Sequence, residues 1–138
     1  MNKRILLIGD ESGSCTNAII KFKKKYEVEH IKYLRTAFIK KLDRYQLIIV
    51  EIMTTSSDIY TKEETSNDLK TGIVYYEKEI EKLGIPVLFW SWSEYFCEEI
   101  ESKKSPLLGF VHKTFDYDFL VNAVDEFLKN INQTKKEK

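Results

Sequence analysis

Cysteine is nearly absent from this chain of 138 residues, and the two present, Cys15 and Cys97, stand alone without the spacing of metal ligands. Stability therefore rests on no disulfide framework or zinc staple, and the thiols suit a reducing compartment. An excess of charge of either sign is also missing. Twenty-two acidic and twenty-two basic residues cancel, so no overall field draws the chain to nucleic acid or to an anionic lipid surface. Long apolar runs do not occur. Ile5-Leu6-Leu7-Ile8 follows Asn2-Lys3-Arg4 in the manner of a signal peptide but ends too soon, at Gly9-Asp10-Glu11. No segment approaches membrane-spanning length. Internal repeats are lacking as well. Together these absences predict a soluble, cytoplasmic protein with no nucleic-acid and no membrane partner.

What is present is enough apolar material for one core: 43% hydrophobic and 13% aromatic residues, well above the disordered range. The expected division is a single domain over residues 1–131 and a polar, Lys-rich tail over 132–138, frayed and solvated. Four short apolar runs, Ile5–Ile8, Leu47–Val50, Pro86–Trp90 and Gly109–Val111, read as strands covered on both faces, and Glu27–Ile31 is a weaker fifth. Helical periodicity fills the gaps. Ile19, Ile20 and Phe22 mark a first helix that Ser14 or Thr16 is placed to cap. Phe38, Ile39 and Leu42 mark a second. Ile73, Tyr76, Ile80 and Leu83 form a stripe stopped by Gly84 and Pro86. Tyr95, Phe96 and Ile100 mark a fourth helix, and Phe119, Leu120, Val124, Phe127 and Leu128 a fifth, with Asp116 or Asp118 near its start. Alternation of this kind predicts an α/β fold, a flavodoxin-like doubly wound five-stranded parallel sheet in the order 2-1-3-4-5 with helices on both faces. The stretch Thr54–Leu69 is long for a strand-to-helix connection and reads as an insertion.

In such a sheet ligands bind beyond the carboxyl ends of the strands, at the switch point between strands 1 and 3. The residues that reach this edge are Gly9, Asp10, Glu11 and Ser12, then Glu51, Ile52 and Met53, then Ser91 and Trp92, then His112, Lys113 and Thr114. Carboxylates converging there repel one another unless a hard cation or Lys113 neutralises them. His112 is out of phase with Lys113 and reads as a packed or exposed histidine. Trp90 and Trp92 read as core or interface aromatics. Lys21, Lys23, Lys24 and Lys25 read as a solvated helix end.

Four stretches, in order and on the predicted strands, resemble the response-regulator receiver domain of two-component phosphorelay signalling: Ile5–Glu11, Tyr45–Met53, Gly84–Ser91 and Gly109–Phe115. The resemblance implies a metal-ligating role for Asp10, with Glu11 and Glu51 as further metal-site acids, and the phosphoacceptor position for Glu51. It makes Ser91 the switch hydroxyl, Lys113 the lysine that pairs with the phosphoryl group, and Phe110 the aromatic switch residue. It also implies a protein partner, a histidine kinase or downstream effector, docking on the face of the fourth helix, fifth strand and fifth helix. Tyr95, Phe96, Glu99 and Phe110 would contribute to that face, and a homodimer is open.

Departures from the family pattern alter the expected chemistry. Gly9 stands where an aspartate is usual, Glu51 replaces aspartate, and Thr114 replaces the usual proline. One extra methylene displaces the attacking carboxylate by about an ångström, where in-line transfer tolerates little misplacement. The expectation is an atypical, stand-alone receiver-like module without enzymatic activity, with degenerate phosphorylation chemistry and weak or absent Mg²⁺. The alternative is a flavodoxin-like FMN-binding protein, with Ser12–Asn17 as a hydroxyl-rich phosphate loop.

Overall fold

The computed structural model describes residues 3–34, 41–55 and 59–136. Strands β1 (Arg4–Ile8), β2 (Glu27–Ile31), β3 (Leu47–Glu51), β4 (Val87–Ser91) and β5 (Leu108–His112) form one sheet in the order β2-β1-β3-β4-β5. Every pairing is parallel, and the register sets Ile8 beside Val50, Glu51 beside Trp90 and Ser91 beside His112. Parallel neighbours need crossovers, and helices provide them on both faces.

Period-two alternation sorts the strand residues between two cores. Leu6, Ile8, Ile48, Val50 and Phe89 face Ile73, Tyr76 and Ile80, whereas Ile5, Leu7, Leu47, Ile49 and Trp90 face Ala18, Phe22, Leu120, Val124 and Leu128. The second group comes from α1 (Ser12–Phe22) and α4 (Tyr117–Lys136), which are tied by the Lys21–Asp118 ion pair at 3.2 Å and, just past the end of α1, by Lys25–Asp125 at 2.6 Å. The first comes from α2, a helical run that is α over Thr71–Tyr75, widens to π over Tyr76–Ile80 and tightens to 3-10 over Glu81–Leu83. Gly84 ends it in the left-handed conformation, at φ 67°, which glycine adopts without a Cβ penalty. The remaining helix, α3 (Cys97–Ser102), is the fourth of the sequence reading and buries Ile100.

Several expectations are revised by these elements. α1 buries Ser14, Cys15, Ala18 and Phe22, and Ile20 is exposed, because its apolar pair Ile19-Ile20 straddles the boundary of the face turned to the sheet. Ser12–Asn17 is the start of this helix, so no phosphate loop exists there and the flavin reading loses its anchor. Ser14 and Thr16 lie inside the helix, whose N-cap position is Glu11. Of the second predicted helix, Phe38 and Ile39 lie outside the described residues, while Leu42 is buried in a 3-10 turn, Leu42–Arg44. Asp116 caps α4, its Oδ1 accepting the Asp118 and Phe119 N–H groups at 3.1 Å each. That helix continues through Lys136, taking in the first five residues of the expected frayed tail. Among the described residues no helix is long and apolar enough to cross a membrane.

Candidate functional site

β3 ends inside the protein. All five of its residues are buried, Glu51 included, because β1 and β4 flank it and helices cover both faces. A buried carboxylate needs a counter-charge, and Lys113, just past β5, supplies it. The Lys113 N–H donates to the Ser91 carbonyl at 2.7 Å, fixing the backbone so that the side chain runs back across the strand ends. Its Nζ lies 3.1 Å from Glu51 Oε1, 3.1 Å from Glu11 Oε2 and 3.2 Å from Ser14 Oγ. The ammonium donates to Glu11 and Ser14 and is ion-paired with Glu51. The Trp90 ring centroid, 4.4 Å from Nζ, and the Trp92 centroid, 5.8 Å away, add cation–π attraction.

Glu51 is held from two further sides. The Cys15 thiol donates to Oε1 at 3.0 Å. Beneath it lies Gly9, where an added Cβ would fall 2.4 Å from Glu51 Cδ, 2.5 Å from Cγ and 2.6 Å from Oε1. The longer side chain at 51 therefore occupies space that the glycine leaves open. On its far side, Gly72 at the start of α2 sits so close that its Cβ would meet the Glu51 carbonyl oxygen at 2.4 Å. Burial pushes the Glu51 carboxyl above its ordinary value, with Lys113 and Cys15 opposing. The Cys15 thiol is pushed up by burial and by the adjacent Glu51 charge. For Glu11, burial alone would raise the carboxyl, but hydrogen bonds from Trp92 and Lys113 outweigh it and hold the group low. The Trp92 indole N–H reaches both Glu11 oxygens, at 3.1 and 3.0 Å.

Glu51, Glu11, Ser91 and Lys113 line one cleft of about 90 Å³ with Asp10, Met53, Trp90 and Trp92. Asp10 reaches only its rim, because Oδ2 is taken by the N–H of Thr55 at 3.2 Å and by the Thr55 hydroxyl. The three acids expected to share a cation thus form no cage, and no metal-binding group of three His, Cys, Asp or Glu side chains occurs among the described residues. An ammonium stands between Glu11 and Glu51, where a cation would have to sit, so the donor set does not fit Mg²⁺. Ser91 is buried, and its Oγ accepts the Ser93 N–H at 3.1 Å. Phe110 is half-buried against the core that contains Phe89 and Ile100, and it lines a groove of about 360 Å³ between α3 and β5. His112 points elsewhere, 3.3 Å from Glu94. Sequence reasoning brought Ser14 and Cys15 to the site only within the phosphate loop of the flavin alternative, and it set Trp92 at this edge without a polar role. The signal for the first two is a helix beginning directly after strand 1, which turns residues 14 and 15 toward the sheet.

No protein-family model matches the chain, and no curated protein sequence matches it. Solved structures do. The signal receiver domain of a putative Luxo repressor protein from Vibrio parahaemolyticus is 18% identical, with a TM-score of 0.71 over 100% of this chain and 98% of that one. A CheY-like response regulator receiver domain from Methanospirillum hungatei is 14% identical, with a TM-score of 0.67 over 100% of both chains. The response regulator TrrA of Thermotoga maritima, solved in complex with Mg²⁺-BeF, is 19% identical, with a TM-score of 0.65 over 91% of this chain and 98% of that one. Likeness at this identity shows the fold: the doubly wound, five-stranded sheet of receiver domains.

Proposed function

We propose that this chain is a response-regulator-type signalling module that works through protein contacts and whose cleft no longer accepts phosphate. The observation that carries the reading is the engagement of Lys113, whose ammonium donates to Glu11 and Ser14 and forms an ion pair with Glu51 inside the protein. By the place of these residues at the carboxyl ends of the strands, and by likeness to a Thermotoga response regulator solved with Mg²⁺-BeF, this cleft is where phosphoryl chemistry would take place. Transfer to a carboxylate needs a free attacking oxygen and positive charge to offset the developing negative charge. Here Glu51 Oε1 is packed against Gly9 and accepts from the Cys15 thiol, and the positive charge beside it is already paired. Mg²⁺ must displace an ammonium to enter, which makes its binding weak.

Output on this reading passes through α3, β5 and α4 in the cytoplasm, to a kinase, an effector or a second copy of the chain. Tyr95 is largely exposed there and stacks edge-on against Phe96, with centroids 4.8 Å apart. Ser91 and Phe110 hold the switch positions, Ser91 engaged with Ser93 and Phe110 open to the groove.

The test is intact-mass spectrometry after incubation with acetyl phosphate and Mg²⁺. The wild type and Glu51→Asp should gain no phosphate, and the pair Gly9→Asp with Glu51→Asp should gain it in an Mg²⁺-dependent way. Uptake by the wild type equal to that of the double variant would defeat the proposal.

A further inference from the structure

The segment between β3 and α2 reads in sequence as an insertion, and an insertion of this length is commonly a solvated loop. Residues 59–70 are instead internally closed. Thr65 is fully buried, and its Oγ donates to the Thr61 carbonyl at 3.2 Å and accepts the Asp68 N–H at 3.1 Å. Thr61 and Glu64 bond reciprocally: the Thr61 N–H donates to Glu64 Oε1 at 3.2 Å, and Thr61 Oγ accepts the Glu64 N–H at 3.0 Å. The Asn67 N–H reaches the Lys62 carbonyl at 2.7 Å, the Lys70 N–H reaches the Thr65 carbonyl at 3.0 Å, and Lys62 pairs with Asp68. Within this ring Ser66, Asn67 and Asp68 all take left-handed backbone angles, φ 52°, 59° and 67°. Three such residues in series, none of them glycine, persist only where surrounding bonds enforce them.

The closed segment also grips its neighbours. Ile59 and Tyr60 pack on the core, Glu64 pairs with Lys78 of α2 at 2.9 Å, and Lys70 pairs with Glu99 of α3 at 3.3 Å. The last contact differs from an ordinary surface pair. The Lys70 and Glu99 side chains are 25% and 39% exposed, and Glu99 Oε2 is shielded with no hydrogen-bond partner among the described residues. Removing the lysine therefore leaves a partly desolvated carboxylate uncompensated. At the segment's two roots, Thr55 holds Asp10 and Gly72 abuts the Glu51 carbonyl.

We propose that residues 59–70 are a brace that fixes the position of α3 from the β3 end of the sheet. Glu99 is thereby an internal anchor, where the sequence reading had placed it on the partner surface. α3 is a short helix with no side-chain cap at its start; it is seated by the buried Ile100, and the ion pair just past its end, Lys103–Glu77, is looser at 3.7 Å. The brace thus adds to core packing a charged tie on α3 that makes no contact with Lys113 or Glu51. The consequence for output rests on the reading of α3 as part of the docking face; the brace itself does not.

Hydrogen exchange followed by mass spectrometry over Cys97–Ser102 of the full chain tests the brace. Lys70→Glu and the length-conserving Lys70→Met should each speed exchange in α3 by about 3- to 10-fold and leave α4 unchanged. The charge swap Lys70→Glu with Glu99→Lys should return α3 to within about twofold of wild type. If Lys70→Glu does not fold, Lys70→Met decides. α3 rates within about twofold of wild type in Lys70→Met, or a folded swap as fast as Lys70→Glu, overturn the brace. Failure of the signalling reading appears elsewhere, as phosphate uptake by the wild type, and leaves these exchange rates unaffected.

Discussion

Adding one methyl group at Gly9 should unseat Glu51 and with it the charge network of the cleft. The new Cβ would lie 2.4–2.6 Å from Cδ, Cγ and Oε1, well inside carbon–carbon contact distance. All three atoms belong to a side chain, which could ordinarily swing away. Glu51 is not free to do so, being buried and held by Lys113 at 3.1 Å and Cys15 at 3.0 Å. Overpacking of this kind costs about 1–3 kcal/mol. Breaking a buried pair costs about 3–5 kcal/mol in full, but Lys113 keeps Glu11 and Ser14, so only part of that is lost. Gly9→Ala should therefore destabilise by about 2–4 kcal/mol. Glu51→Ala should cost about 1–3 kcal/mol, mainly through the lost pair and the space it vacates. That variant removes all three clashing atoms, so the double variant should be no less stable than Glu51→Ala alone. The predicted coupling is about 2–4 kcal/mol in favour of the pair, where independent sites add to within about 0.5. Urea denaturation read by tryptophan fluorescence measures all four chains, since Trp90 and Trp92 sit on the network. Additive losses would show that Glu51 does not rest on Gly9, and the account of the cleft would fail.

Titration of the wild type with Mg²⁺, followed by calorimetry or by the same fluorescence, should give a dissociation constant no tighter than about millimolar, because the ion must replace an ammonium; a micromolar value contradicts this. Stability should also depend on pH through Glu51. Its carboxyl is raised in the folded state, mainly by burial, so its contribution is fully present below the ordinary value of 4.5 and is lost as pH rises through the folded value. The stability of wild type relative to Glu51→Gln should therefore fall as pH is raised upward from 4.5, measured by urea midpoints across the range. A difference that grows with pH would mean that Lys113 outweighs burial.

The strands were legible because β1, β3 and β4 are continuous apolar runs that tolerate no other environment, and α2 because Ile73, Tyr76 and Ile80 keep helical phase up to Gly84. Strand order then followed from the alternation of strands and helices. Glu51, Glu11 and Lys113 could be brought to one edge by topology alone. Their pairing geometry could not be read, because it depends on an empty space at Gly9 that no residue letter states. Asp10 reaches the expected cleft, but its partner was not legible for a related reason. The partner that captures it, Thr55, belongs to an insertion whose path the strand pattern does not constrain. The phase of α1 escaped because Ile19-Ile20 outweighs Ser14-Cys15 in apolarity, while the buried face is set by where the helix begins. The Lys-rich end of the chain was taken for a tail on composition, although Lys and Gln are good helix formers and α4 simply continues through them.

The ammonium between Glu11 and Glu51 is a counter-ion fastened to the chain. A dissociable ion is present in proportion to its concentration outside, so a site that uses one is read against the surrounding pool and can be emptied by a chelator. A tethered ion has an effective concentration fixed by the backbone, here by the Lys113 N–H bond to the Ser91 carbonyl. Dilution, chelation and shifts in cellular divalent levels do not change its occupancy. The charge balance of the cleft is thereby insulated from the ionic composition of its surroundings.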